Sequence, residues 1–239
     1  VDNKQLTKLL SYFIMADGGV YRHNKTSNAY FVMNMLAKNK DYIDWVEETL
    51  NEFVGTSKSD RQDYNTDGCN RQPQIRLQSK THPKLTTLHE RIYTDKYKGI
   101  DPHALKLLDW ESMAIMYMCD GSLFEDKPNP KKGLINSSWN LTLNMKRLSY
   151  GDQLLLKKAI KDTLDVEFNI NRQNQYYYLR LRCKDVVKFC KGVEPFMKES
   201  FKYKIRVIDS LKEDGDTVCS EQKCSEFDGN DQTLDENHE

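Results

Sequence analysis

Apolar and polar positions along this chain follow two rhythms, and each rhythm occurs twice. Residues 6–15 form an apolar-rich stretch of helical length, and residues 110–118 form another. The first runs into Asp17-Gly18 (LLSYFIMADG) and the second into Asp120-Gly121 (SMAIMYMCDG), 103 residues apart. Glycine suits a helix exit because it tolerates positive φ. Downstream of each pair the pattern changes to strict alternation. Asn140, Thr142 and Asn144 oppose Leu141 and Leu143; Gln74, Arg76 and Gln78 oppose Ile75 and Leu77. Tyr178, Arg180 and Arg182 oppose Leu179 and Leu181, while Glu167, Asn169 and Asn171 oppose Val166, Phe168 and Ile170. A period of two with one apolar side predicts sheets buried on one face. Residues 41–53 and 152–164 are amphipathic at helical spacing, which predicts helices that cover those apolar faces; 83–93 and 184–196 predict a second cover per half.

The halves are copies. Asn34-Met35 matches Asn144-Met145, Ile75-Arg76-Leu77 matches Leu179-Arg180-Leu181, and Lys96-Tyr97-Lys98 matches Lys202-Tyr203-Lys204, all in the same order after the aspartate. A repeat of this length defines the fold before any single motif does. The expected class is α+β: two αββαββα repeats, residues 1–100 and 101–206, related by a pseudo-twofold axis and packed through the two apolar helices.

The polar sheet faces are rich in arginine and amides. Tyr30, Asn34, Gln74, Arg76, Gln78, Asn140, Thr142, Asn144, Asn169, Asn171, Tyr178, Arg180 and Arg182 share them. Any half-exposed antiparallel sheet has a polar outer face. This composition is more pointed, because arginine pairs with guanine and asparagine or glutamine with adenine by two-point contacts. Connecting segments add Lys58, Arg61, Arg71, Lys131, Lys132 and Arg172, which suit phosphate contacts that position without specifying.

Charge then changes the picture. The whole chain has 36 basic and 36 acidic residues, a net charge of zero. The charges are not mixed: residues 207–239 hold eleven acids and two lysines, so residues 1–206 carry +9 and the tail −9. A basic body with an acidic tail points to nucleic acid. The tail, with few aromatics, is expected to be disordered, and a tail that folds back on the basic face would compete with DNA. The longest apolar run, 112–119, is far too short to span a bilayer. The six cysteines show no zinc-site spacing and read as reduced thiols, hence an intracellular setting: mitochondrion, plastid, or bacterial or phage cytoplasm.

Two aspartates at equivalent helix ends meet if the helices pack. Two close carboxylates repel, and a divalent cation relieves this; oxygen ligands favour Mg²⁺ (or Mn²⁺), with phosphate oxygens completing the set. Such an arrangement suits phosphodiester hydrolysis.

The stretches LSYFIMADG and MAIMYMCDG resemble the two motifs of the LAGLIDADG homing endonucleases and related intron maturases. The resemblance covers roughly residues 4–206 and is strongest to the single-chain, two-motif branch. It departs at the motif's glycine, where Tyr12 and Ile115 stand, and at its first acidic position, where Met15 and Met118 stand. It implies that Asp17 and Asp120 bind metal and act in catalysis, with the backbone carbonyls of Gly18 and Gly121 as further candidate ligands. It places Lys98 and Lys204 near the scissile phosphates. It also implies a saddle of two antiparallel four-stranded sheets over double-stranded DNA, a monomer on a long asymmetric site, and cuts that leave short 3′ overhangs. A second reading from the same residues is an intron-encoded RNA maturase that binds intron RNA, with nuclease activity weak or lost; a third is a DNA-binding regulator with an idle site. Retention of both aspartates and both lysines favours the nuclease.

Overall fold

The two Asp-Gly stretches are helices, and they pack against each other at the centre of the molecule. The structure is a computed structural model that describes residues 2–61, 72–94, 97–127, 138–182 and 184–213. The first repeat runs α1 (Asn3–Met15), β1 (Gly19–Tyr21), β2 (Tyr30–Leu36), α2 (Lys40–Asn51), β3 (Thr56–Arg61), β4 (Gln74–Ser79) and α3 (Pro83–Ile92). A two-residue hairpin, β5 (Tyr93–Thr94) and β6 (Tyr97–Lys98), and the short α4 (Pro102–Leu105) lead to the second repeat. That repeat runs α5 (Trp110–Asp120), β7 (Gly121–Asp126), β8 (Ser138–Leu143), α6 (Tyr150–Leu164), β9 (Asn169–Gln173), β10 (Tyr176–Arg182) and α7 (Lys184–Val193). Each repeat folds into an antiparallel four-stranded sheet, in the orders β1-β2-β4-β3 and β7-β8-β10-β9. The α+β class and the doubled αββαββα order are as the periodicity predicts.

Helix α5 is apolar all round, which suits a helix enclosed on every side. Residues Ser112 through Met118 are at most 1 % exposed, as are Leu10, Tyr12, Phe13 and Ile14 of α1. Each fully buried large apolar side chain contributes about 1.5–3 kcal/mol. The motif glycine's replacements fit: Tyr12 turns its hydroxyl to the carbonyl oxygen of Ala104 (3.2 Å), so its polar end is satisfied inside the core. On the sheets the alternation holds. Ile75, Leu77, Leu141, Leu143, Leu179 and Leu181 face the helices and are buried.

Four details depart from the sequence pattern. Strand β9 begins at Asn169, because Asp165 ends α6 in the left-handed region (φ 51°) and residues 166–168 bring the chain back under it. Glu167 therefore lies outside the ladder. The glycines after the aspartates serve space and not φ: Gly121 is extended (φ −85°), and a Cβ there would collide with the Tyr117 ring and carbonyl. A Cβ on Gly18 would meet the Phe13 carbonyl at 2.5 Å and the Phe31 ring at 2.6 Å. The matched Lys-Tyr-Lys segments differ locally, since Tyr97-Lys98 is a strand and Lys202-Tyr203-Lys204 lies in the 3-10 segment Glu199–Ile205. Finally, the packed body passes Arg206: Val207 and Ile208, 1 % and 5 % exposed, begin α8 (Val207–Glu213), so a boundary at 206 cuts a packed segment. The tail from 214 onward lies outside the described residues.

Polar ties lock the repeats together. Lys8, 3 % exposed, bonds Asp109 (2.5 Å) and Glu111 (3.2 Å) across α1 and α5. Asp101, fully buried, accepts from Ser11 Oγ (2.8 Å), from the Arg91 guanidinium and from the His103 amide; together these hold its carboxyl below the usual range despite burial. Asp41 accepts from the Ser200 amide (3.0 Å) and hydroxyl (2.5 Å), tying α2 to the end of the second repeat.

Candidate active site

The C-terminal end of an α-helix presents carbonyl oxygens without partners and a partial negative charge. Both central helices end side by side, and a lysine closes each end. Lys98 Nζ donates to the carbonyl oxygens of Ile14 (2.6 Å), Ala16 (2.5 Å) and Gly18 (3.0 Å), which uses all three ammonium hydrogens. Lys204 Nζ donates to Met118 O (2.7 Å) and Tyr117 O (3.4 Å), while Tyr117 Oη donates to Lys204 O (2.7 Å). The two lysines therefore occupy matching places, although their backbones differ. Burial lowers both lysine pKa values, that of Lys98 to about 8, with Arg147 the next cause.

Asp17 is exposed and Asp120 half-buried at the mouth of this junction. Burial first, and the Asp17 charge second, push the Asp120 carboxyl up to about 6. The like-charge conflict read from the sequence is thus present, and Lys98, Arg147 and Lys204 oppose it only in part. Between the helices Cys119 donates its thiol proton to Tyr42 Oη (3.3 Å), and burial together with Asp17 keeps that thiol protonated. A cavity of about 410 Å³ opens beside Asp120, lined also by Ser122, Asn144, Tyr203, Lys204 and Arg206.

The donor set fits a hard divalent cation. Asp17 and Asp120 offer oxygen donors, which suit a hard divalent cation; among the described residues no third His, Cys, Asp or Glu side chain joins them. Gly18 O already accepts from Lys98. The Asn144 amide donates to Asp120 O, so Gly121 and Leu143 form a non-hydrogen-bonded pair and the Gly121 carbonyl points away from β8.

The polar sheet faces carry most of the residues that the alternation places there. On the first sheet, Asn34 pairs with Arg76, Gln78 with Ser57, and Gln74 with Arg61, so all six share a face with Tyr30, whose ring stacks on His23 at 4.7 Å. On the second, Arg180 pairs with Thr142 and Asn169, Tyr178 with Asn171, and Arg182 with Asn140. Asn144 follows β8 and donates to Thr142 Oγ1 (3.2 Å). Two residues leave the set. Lys58 pairs with Leu77, which points it to the helix side, where it bonds Asp44 (2.6 Å) and Glu47 (2.5 Å) of α2. Arg172 pairs with Tyr177, also on the helix side, lies 5.9 Å from that ring and donates to Asn174 O (2.8 Å). Both were expected in loops, where register assigns no face. Asn140 and Thr142 keep the polar face but are buried, at 3 % and 7 %, with the Arg180 guanidinium bonded to Asn140. Arg71, Lys131 and Lys132 lie outside the described residues.

Sequence reasoning missed Arg147, Tyr42, Cys119 and Arg206. Arg147 had a signal: Met145 is followed by Lys146-Arg147, whereas its counterpart Met35 is followed by Leu36-Ala37. Tyr42 had none, since a buried phenol on α2 reads as core.

Twin motif helices ending in convergent aspartates, each beneath a four-stranded sheet, define a class. The profile of the LAGLIDADG DNA endonuclease family matches residues 12–189, and the chain belongs to that family. An uncharacterised protein of Methanocaldococcus jannaschii is 32 % identical over 133 residues, 55 % of this chain and 48 % of its own; the chain thus spans about half the length of that relative. Among solved structures, the homing endonuclease I-WcaI bound to its DNA recognition sequence superposes with a TM-score of 0.69 at 17 % identity, covering 85 % of this chain and 86 % of its own. The LAGLIDADG meganuclease I-AabMI bound to uncleaved DNA gives 0.56 at 10 % identity, covering 87 % and 91 %. At these identities the likeness is one of fold. No helix among the described residues is long and apolar enough to cross a membrane.

Proposed function

We propose that the protein is a site-specific, divalent-metal-dependent endonuclease that cuts both strands of a long asymmetric DNA site as a monomer and leaves short 3′ overhangs. The observation that carries this reading is the junction itself: two aspartates and two lysines from two repeats, gathered at the paired ends of α1 and α5. When bound, Mg²⁺ or Mn²⁺ would supply a polarised phosphate and an activated water. Asp17 and Asp120 would hold the ion. Lys98 and Lys204, held on the helix-end carbonyls, keep positive charge beside the phosphates whose negative charge grows in the transition state. Asn34, Gln74, Arg76, Gln78 and Arg61 on one sheet, and Asn169, Asn171, Tyr178 and Arg180 on the other, would face the two half-sites. Their differences make the site asymmetric.

The duplex formed by joining the genomic flanks of the gene is the substrate to test. Cleavage that needs Mg²⁺ or Mn²⁺ and yields 3′ overhangs supports the reading; specific binding without cleavage in either ion would leave a DNA-binding regulator instead. The RNA-maturase reading draws on the same residues, and nothing in the site's geometry is particular to RNA.

A further inference from the structure

We infer that Arg180 reads a guanine in the half-site of the second repeat, and that Asn140 and Asp126 are positioning residues that aim it. The inference rests on the DNA-endonuclease reading and adds which residues set specificity at one base pair.

Asn140 has the composition of a base reader but not the access. It is 3 % exposed, and both ends of its amide are engaged. Its Oδ1 accepts from Arg180 Nη2 (2.8 Å) and Nε (3.2 Å). Its Nδ2 donates to Asp126 Oδ2 (2.8 Å) and Ser138 O (3.4 Å). Asp126 in turn lies 3.6 Å from Arg180 Nη2, and the Phe124 ring sits 5.6 Å from the guanidinium carbon. Arg180 is therefore held from three strands: Phe124 and Asp126 on β7, Asn140 on β8, and its own β10. The hold is diagonal, since Arg180 is paired in register with Thr142 and reaches two residues along to Asn140, which is paired with Arg182.

This arrangement has chemical consequences. A guanidinium has five N–H donors in a rigid fork. With the Nε–Nη2 edge held by Asn140, Nη1 has no hydrogen-bond partner among the described residues. The outward end of the fork is then free to meet the O6 and N7 acceptors that guanine shows in the major groove. Asp126 offsets part of the guanidinium charge, which weakens its pull on a phosphate and leaves the directional contact to a base edge. An acid on a DNA-facing sheet otherwise opposes binding, so its placement here is accounted for by orientation. Fixing the side chain beforehand also lowers the entropy lost on binding. In the first repeat the matching arginine is held differently: Arg76 Nη2 donates to Gln78 Oε1 (3.1 Å) on its own strand.

The test uses the full chain. Duplexes bound by the wild-type protein are selected from a random library, and binding is then measured against all single-base variants of the enriched site. The wild type is expected to prefer guanine strongly at one position that Arg180→Ala abolishes. Asp126→Ala and Asn140→Ala should each lower the preference for guanine at that same position by about tenfold, within the range of a two-point contact, and leave the other positions unchanged. Asp126 is partly exposed, so its variant keeps the experiment decisive if Asn140→Ala fails to fold. Equal losses at every position would make Arg180 a phosphate contact, and an unchanged profile in Asp126→Ala would remove the positioning role; either overturns the inference. Should the wild type enrich no site at all, the endonuclease reading itself falls.

Discussion

Asp120 concentrates the chemistry of the site in one carboxyl. Its ordinary value is 3.8, and burial with the neighbouring Asp17 charge raises it to about 6. The sign follows from linkage: the folded protein binds this proton more tightly, so the stability it contributes is complete below about pH 4 and is lost as the pH rises through 6. Asp120→Asn should therefore stabilise the metal-free protein at pH 7, by on the order of 2 kcal/mol, with little effect at pH 4. Thermal unfolding at the two pH values in a chelator checks this. A divalent ion competes with the same proton, so cleavage should fall as the pH drops below 6. Arg147 is the residue whose loss should distinguish the two strands. It acts on Lys98 and Asp120, and the first repeat has no counterpart. Arg147→Ala is expected to slow one cut more than the other, so that nicked circles accumulate on a supercoiled plasmid carrying the site; equal slowing of both cuts would contradict it.

Elements explain what was legible in the sequence and what was not. Alternation in β4, β8 and β10 revealed which side chains share a face, because a period of two admits no other arrangement once one side is buried. It could not place Lys58, which lies in a strand whose own sequence does not alternate, TSKSDR, and which partner register alone sends to the helix side. Arg172 was read as a loop residue, although it continues the alternation of residues 166–171 on the side of Ile170, where register places it. The motif helices were legible as apolar runs, and their shared end follows from the repeat. That Lys98 and Lys204 seat on helix-end carbonyls was not, since it depends on long-range contacts between segments of different local form. The glycines after the aspartates are needed for close approach. Gly121→Ala forces a methyl group into the Tyr117 ring and should destabilise the fold by about 1–3 kcal/mol, read as a lowered midpoint in urea. An unchanged midpoint would show that α5 and β7 can separate without loss.

At the scale of the molecule, a net charge of zero conceals a body with a basic excess joined to an acidic tail. The packed part extends past Arg206, through Val207 and Ile208 of α8. Removing 214–239 should raise affinity for DNA at low salt and steepen its salt dependence, if the tail competes for the basic faces. Identical salt slopes for the full and shortened chains would show that it does not.

The central claim is that paired carboxylates from the two repeats hold one reaction centre. Its most direct test is cleavage and binding of the cognate duplex by Asp17→Asn and Asp120→Asn in Mg²⁺. Each variant is expected to bind DNA as tightly as the wild type and to lose cleavage of both strands by several orders of magnitude. Cleavage at the wild-type rate by either variant, on DNA that it still binds, would contradict the account.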